Sequence, residues 1–149
     1  MFQTIRTDSK NQYYRELVIG LDKEILKRDG KDFEFYDQFN SSDGINEVVI
    51  ILEDNQPIGC GTFKKHDNST AEIKQMYTCP DFRGKGVATL ILGELETWAL
   101  ELNYKSFILE TGKKYPEAIS LYLKQGFHIS DNSGPYVGVE DSVCFKKEW

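Results

Sequence analysis

A chain of 149 residues with 40% hydrophobic and 13% aromatic content is long enough to bury a core without disulfides or a metal. The net charge of −6 and the pI near 5.0 argue against a nucleic-acid scaffold, which needs a basic stripe to neutralise phosphates. A cationic small partner is compatible with this charge. We expect a single domain over residues 1–149.

No run approaches the roughly 18 apolar residues of a membrane span, and the stretch from Met1 to Arg6 lacks the features of a signal peptide. We therefore expect a cytoplasmic protein that has no membrane partner. Three cysteines, Cys60, Cys79 and Cys144, are far apart, with no second Cys or His at short metal-ligand spacing. We expect reduced thiols and no bound metal.

The N-terminal part predicts a short strand from Phe2 to Arg6 and then a helix. Asp8 offers its carboxylate as the N-cap, and the helix runs to about Arg28. Its apolar residues recur at three- and four-residue steps: Tyr14, Leu17, Val18, Leu21, Ile25 and Leu26. From Gly30 to Gly44, aromatic residues alternate with acids, and either a helix or a packed loop fits.

From Glu47 onward, branched residues and turn chemistry predict β-structure. The turns fall at Asp54–Pro57 and His66–Ser69, and Pro80 stops the last strand. We predict three sequential antiparallel strands, over Val48–Leu52, Ile58–Phe63 and Thr70–Thr78.

A glycine loop, Arg83-Gly84-Lys85-Gly86, follows the third of these strands. One apolar helix face comes next, formed by Val87, Ile91, Leu95, Trp98 and Leu102. Glycines permit positive φ and close approach, so several N–H groups can point at one phosphate at the beginning of the helix. Arg83 and Lys85 add positive charge. The loop is neither a Walker loop nor a dinucleotide fingerprint, and taken alone it fits an ordinary basic turn.

Its context is more specific. The stretch from Glu72 to Ala88 resembles the acetyl-CoA binding motif of the GNAT superfamily of N-acetyltransferases, whose core reads Arg/Gln-x-x-Gly-x-Gly/Ala. Arg83, Gly86 and Ala88 occupy that core. A predicted strand, Phe107–Thr111, precedes a second similar block, Pro116–Phe127, which looks like the family's Ala-x-x-Leu-Tyr-x-x-x-Gly-Phe helix.

The resemblance implies an α/β (α+β) fold with a mixed, mainly antiparallel twisted sheet flanked by helices. The fourth and fifth strands splay apart, and pantetheine inserts between them like an added strand. It also implies acetyl-CoA as co-substrate, with pantetheine on the backbone of Met76, Tyr77 and Thr78. The pyrophosphate would lie on the loop residues Arg83, Gly84, Lys85, Gly86, Val87 and Ala88.

Acetyl transfer to an amine needs a base, an oxyanion donor and an acid for the thiolate. By resemblance, Tyr122 is the acid and a CoA contact, although packing is its alternative role. A backbone N–H near Met76 or Tyr77 is the oxyanion donor. Strand alternation places Glu72 on the face of Met76, and the resemblance implies a glutamate at this position as the base, often acting through water. Glu110 and ordered water are alternatives, and so is a surface Glu72 paired with a lysine.

Other positions concern the two substrates. Tyr115 stands where the family often has asparagine. The asparagine contact with CoA is thus missing, and Tyr115 would contact CoA instead by stacking or through its hydroxyl. The stretches Asp131–Asp141 and Phe33–Asp37 offer rings and carboxylates for a cationic amine, or are ordinary surface loops. His66 and His128 are expected to be structural or exposed.

Two functions remain open. One is an N-acetyltransferase acting on a primary amine of a small molecule or peptide, which the retention of Tyr122 favours. The other is a non-catalytic CoA-binding regulatory or interaction module. The resemblance also allows a homodimer, since dimers are frequent among such proteins.

Overall fold

The computed structural model describes residues 1–30 and 44–149. The strands are β1 (Phe2–Thr7), β2 (Glu47–Glu53), β3 (Gln56–Lys65), β4 (Thr70–Thr78), β5 (Ser106–Gly112), β6 (His128–Ser130) and β7 (Ser142–Glu148). The helices in these ranges are α1 (Gln12–Asp29), α2 (Val87–Glu101) and α3 (Pro116–Lys124). The predicted amine-binding stretch Phe33–Asp37 lies outside the described residues.

The strands form one sheet in the order β1-β2-β3-β4-β5-β7-β6. β4 and β5 are parallel, whereas β1–β2, β2–β3, β5–β7 and β6–β7 are antiparallel. The parallel register joins Thr70–Glu72 to Ser106–Ile108 and goes no further along either strand. The predicted mixed, mainly antiparallel fold is confirmed, and so short a register is what strands that splay would have.

By internal contacts the chain divides into two compact units. The first comprises Met1–Lys64 and Ile73–Trp98, and the second comprises Lys65–Glu72 and Ala99–Trp149. The first has an apolar core in which α1 packs against β2 and β3, formed by Tyr14, Leu17, Val18, Ile45, Val48, Ile50, Leu52 and Cys60. A single domain over 1–149 stays a prediction.

The predicted N-cap of α1 is wrong. Asn11 is the cap, because its side-chain oxygen accepts hydrogen bonds from the N–H groups of Tyr13 and Tyr14 at 2.8 and 3.2 Å. The carboxylate of Asp8 instead accepts from the N–H of Lys10 at 2.9 Å. Asp8 therefore closes a turn before the helix, and the helix begins three residues later than its position would require.

The β2–β3 hairpin turns more tightly than predicted. Asp54 and Asn55 have φ of 49° and 64°, the left-handed backbone that two-residue hairpin turns favour. Gln56 and Pro57 therefore belong to β3 and not to the turn. The register shifts between Ile51 and Leu52, which accommodates Pro57 opposite Leu52.

Candidate functional site

The glycine loop of the first unit has the geometry of an anion site. Gly84 and Gly86 have φ of 77° and 83°, which other residues adopt only with strain. A Cβ added at either glycine would meet no heavy atom within 4 Å. α2 begins directly afterwards at Val87, and N–H groups in the first turn of a helix lack acceptors within the helix. Open space thus adjoins a cluster of backbone donors.

Arg83 has three hydrogen-bond acceptors within the protein. Its Nη1 and Nη2 donate to the two carboxylate oxygens of Glu24 at 2.9 and 2.8 Å, and its Nε donates to the Thr78 carbonyl at 2.9 Å. The guanidinium is therefore paired with protein acceptors in this structure, and the expected Arg83–phosphate contact stays a prediction. Lys85 is exposed, with its Nζ 5.4 Å from the ring centroid of Phe82.

The side chains at the end of β4 pack inward. An ideal Cβ on Gly61 of β3 would lie 2.5 Å from the Met76 sulfur, so Gly61 leaves room for that side chain. The same construction on Gly20 of α1 reaches the Tyr77 hydroxyl at 2.9 Å. Both side chains are thus used in packing, and the contact of the main chain with pantetheine stays a prediction.

Gln75 interrupts the alternation of β4. Its φ is 56°, and a left-handed residue within a strand shifts the side chains beyond it by one position, as a bulge does. Glu72 and Met76 lie on either side of it. The inference that they share a face, which rested on strict alternation, therefore loses its basis. A position for Glu72 comes instead from the second unit.

In the second unit, register brings several polar side chains onto one face of the sheet. Glu72 of β4 pairs with Ile108 of β5, and Glu110 lies two residues after Ile108 on β5. Cys144 of β7 lies opposite Glu110 and also opposite Ser130 of β6. Because side chains alternate along a strand, one face of the sheet then carries Glu72, Ile108, Glu110, Cys144 and Ser130.

A cleft of about 90 Å³ opens on that face. It is lined by His66, Glu72, Ile108, Leu109, Glu110, Ser130, Ser133, Gly134, Pro135, Tyr136, Cys144 and Phe145. The predicted loop Asp131–Asp141 thus contributes to a cleft, through its residues from Ser133 to Tyr136. His66 is exposed, as expected, and also lines the cleft; His128 is exposed.

The pKa of the Cys144 thiol depends on its burial and on the acidic side chains of this cleft. Burial raises it most, a hydrogen bond from the Ser133 N–H opposes that rise, and the carboxylates of Glu110 and Glu72 raise it further. The thiol therefore stays neutral, and both carboxylates act on it. Two acidic side chains, Glu72 and Glu110, thus line one cleft, and acidic side chains attract a cationic guest. From the sequence, Cys144 was expected only to be a reduced thiol, because strand register alone places it beside Glu110.

Tyr122 packs against two aromatic rings. It is 5% exposed, and its ring centroid is 5.5 Å from that of Phe127 and 5.8 Å from that of Phe145. Burial raises the pKa of its phenol above the ordinary value, so the group keeps its proton at neutral pH. The surroundings support the packing alternative and also a neutral hydrogen-bond donor.

Tyr115 is the residue before α3. It makes no side-chain cap hydrogen bond, and it is half-buried. An ideal Cβ on Gly112 would lie 3.2 Å from its ring. The side chain therefore packs along the end of β5.

Residues 1–30 and 44–149 contain neither a metal-ligand cluster nor a membrane-spanning helix. No group of three or more His, Cys, Asp or Glu side chains there is arranged to hold a metal ion. In the same ranges, no helix has the length and apolar character needed to cross a membrane.

Comparison with known proteins places this geometry in context. The model of the acetyltransferase (GNAT) family matches residues 10–127. An IAA acetyltransferase of Azospirillum brasilense is 32% identical over 80 residues, which cover 53% of this chain and 52% of that protein. YedL, an uncharacterised N-acetyltransferase of Escherichia coli K12, is 35% identical over 79 residues, covering 52% and 50%. The chain thus spans about half the length of these curated relatives.

A solved structure resembles the fold over nearly its whole length. It is a GNAT family acetyltransferase from Elizabethkingia anophelis with acetyl-CoA bound, and it has a TM-score of 0.73 at 20% identity. The match covers 99% of this chain and 98% of that one. At this identity the likeness concerns the fold.

Proposed function

Because the chain belongs to the acetyltransferase (GNAT) family, we propose that it transfers the acetyl group of acetyl-CoA to a primary amine of a small molecule or peptide. The observation that carries the proposal is the loop Gly84–Gly86, whose positive φ values and open surroundings precede the beginning of α2. That arrangement suits a diphosphate. A cytoplasmic location, expected from the sequence, and a homodimer, which the resemblance allows, belong to the same proposal.

The CoA part of the site is built from backbone. The pyrophosphate accepts hydrogen bonds from N–H groups between Gly84 and Ala88, with Lys85 adding positive charge. Pantetheine amides pair with the main chain of Met76 to Thr78, in the manner of an added strand. A backbone N–H near Met76 or Tyr77 stabilises the oxyanion.

The amine is bound in the cleft of the second unit. Glu72 and Glu110 attract a cationic amine, and Tyr136 offers a buried ring beside them. The ammonium must lose a proton before its nitrogen can attack the thioester carbon. Glu72 is our first choice as base, with Glu110 or ordered water as alternatives. Collapse of the tetrahedral intermediate expels the CoA thiolate, which Tyr122 protonates.

A thiol-release assay tests the proposal. The protein is incubated with acetyl-CoA and a panel of polyamines, aminoglycosides and peptides, with an alcohol analogue of one amine as the control. We expect CoA thiol to appear only with an amine, together with an acetylated amine of mass increased by one acetyl group. Binding of CoA without turnover on any amine would favour the non-catalytic CoA-binding module.

A further inference from the structure

Two positions of α1 face the region where β4 ends and the glycine loop begins. Gly20 and Glu24 are four residues apart and therefore share a face of the helix. The Tyr77 hydroxyl lies 2.9 Å from where a Cβ on Gly20 would be, so the missing side chain admits the ring. One turn later, the Glu24 carboxylate accepts both hydrogen bonds from the guanidinium of Arg83.

Arg83 joins these contacts together. Its Nε donates to the Thr78 carbonyl, and its guanidinium carbon is 5.8 Å from the ring centroid of Tyr77. We call Gly20, Glu24, Tyr77 and Arg83 the α1 anchor. In this anchor, the Arg83 side chain connects the first residue of the glycine loop to α1 and to Thr78, the last residue of β4.

The α1 anchor restricts the conformational freedom of the glycine loop. Gly84 and Gly86 have open space around them, and glycine has the largest backbone freedom of any residue. A loop that must be ordered upon binding loses affinity, whereas one that is already held does not. The bidentate ion pair with Glu24 fixes the loop's first residue with good directionality.

We propose that Glu24 is a positioning residue for acetyl-CoA. Acting through Arg83, it holds the Thr78 carbonyl and the backbone of Gly84–Gly86 in the arrangement that the cofactor requires. This inference rests on the proposed function. In this inference the Arg83 guanidinium binds protein groups. In the alternative it binds a phosphate of CoA, and Glu24 competes with that phosphate.

The two roles considered for Glu24, positioning the loop or competing with a phosphate, predict opposite changes in CoA affinity when Glu24 is replaced. Glu24→Ala is compared with the parent and with Glu16→Ala, which removes the same charge from an exposed position of α1. If Glu24 positions the loop, loss of this partly exposed, bidentate pair weakens CoA binding about 5- to 30-fold. kcat at saturating acetyl-CoA stays near the parent value. Glu24→Gln, which keeps one acceptor, restores part of the affinity, and Glu16→Ala changes little.

The measurements are the Kd for CoA by calorimetry, KM and kcat for acetyl-CoA, and amide hydrogen exchange between Thr78 and Val87. Faster exchange there in Glu24→Ala, with Kd raised and kcat kept, supports the inference. Tighter or unchanged CoA binding in Glu24→Ala, with a parent that binds normally, overturns it. A parent that does not bind CoA overturns the proposed function itself, and this inference with it.

Discussion

The hydroxyl oxygens of Thr70 and Ser106 lie 2.9 Å apart across the first residue pair of the parallel β4–β5 register. Both side chains are buried, with 8% and 5% exposure. The pair therefore satisfies two hydroxyls where the parallel ladder begins, and it helps to fix the register on which the cleft depends.

Thr70→Val should destabilise the protein, because it leaves a buried Ser106 hydroxyl without this partner. We expect a loss of about 1–3 kcal/mol in the free energy of unfolding. Thr70→Val combined with Ser106→Ala should cost clearly less than the two single changes added, since neither hydroxyl then remains. Urea unfolding of the four proteins gives the coupling. Strict additivity would mean that the two hydroxyls do not interact.

Gly86→Asp should prevent CoA binding. A side chain at φ 83° is strained, and a carboxylate would bring negative charge to the phosphate site. We expect Kd for CoA to rise by about 10²-fold or more, given strain together with charge repulsion at one site. Gly93→Asp, an exposed position within α2, is the matched control and should bind normally. Equal affinity in Gly86→Asp would remove the phosphate-site assignment.

Glu72→Gln tests the base. If Glu72 accepts the amine proton, the rate at neutral pH should fall about 10²-fold or more, the usual scale for a lost general base. CoA affinity should remain, because Glu72 belongs to the cleft and not to the loop. Glu110→Gln is run beside it, with Glu16→Gln as an exposed control. A pH–rate profile that Glu72→Gln leaves unchanged, but Glu110→Gln alters, would transfer the role to Glu110.

Tyr122→Phe should separate binding from chemistry. The ring stays among Phe127 and Phe145, so the fold and the affinity for acetyl-CoA should change little. Loss of a general acid should lower kcat about 10- to 10³-fold. The deficit should shrink with an acyl donor whose leaving thiol is more acidic, since such a thiol needs less protonation. An equal loss with both donors would show that Tyr122 positions the thioester.

The same residue makes a pH prediction. Burial raises the pKa of the Tyr122 phenol above its ordinary value of 10.0, so the protonated form persists to higher pH than in an exposed tyrosine. In the parent, kcat should therefore not decline between neutral pH and about pH 10, the ordinary pKa of tyrosine, through ionisation of this group. A decline in that range that disappears in Tyr122→Phe would contradict it.

Much of the fold could be predicted because its signals are local. Apolar periodicity predicted α2 from Val87 within one residue of its end. The polar turn at His66–Ser69 and Pro80 bounded β4 at Thr70–Thr78. The loop at Gly84 and Gly86 was equally readable, since a positive φ is a requirement of the backbone itself. The family resemblance then supplied the mixed, mainly antiparallel sheet with its splayed fourth and fifth strands, which local periodicity does not specify.

Other features depend on residues that are distant in sequence. Arg83 suggested a phosphate ligand, but Glu24, 59 residues away, takes up its guanidinium. Strict alternation no longer supports a shared face for Glu72 and Met76, because Gln75 adopts a left-handed φ that the sequence pattern does not indicate. Register alone brings Glu110 opposite Cys144. Local sequence thus determined the elements and the glycine loop, whereas packing and strand pairing decided which side chains meet, because those contacts depend on where distant segments come together.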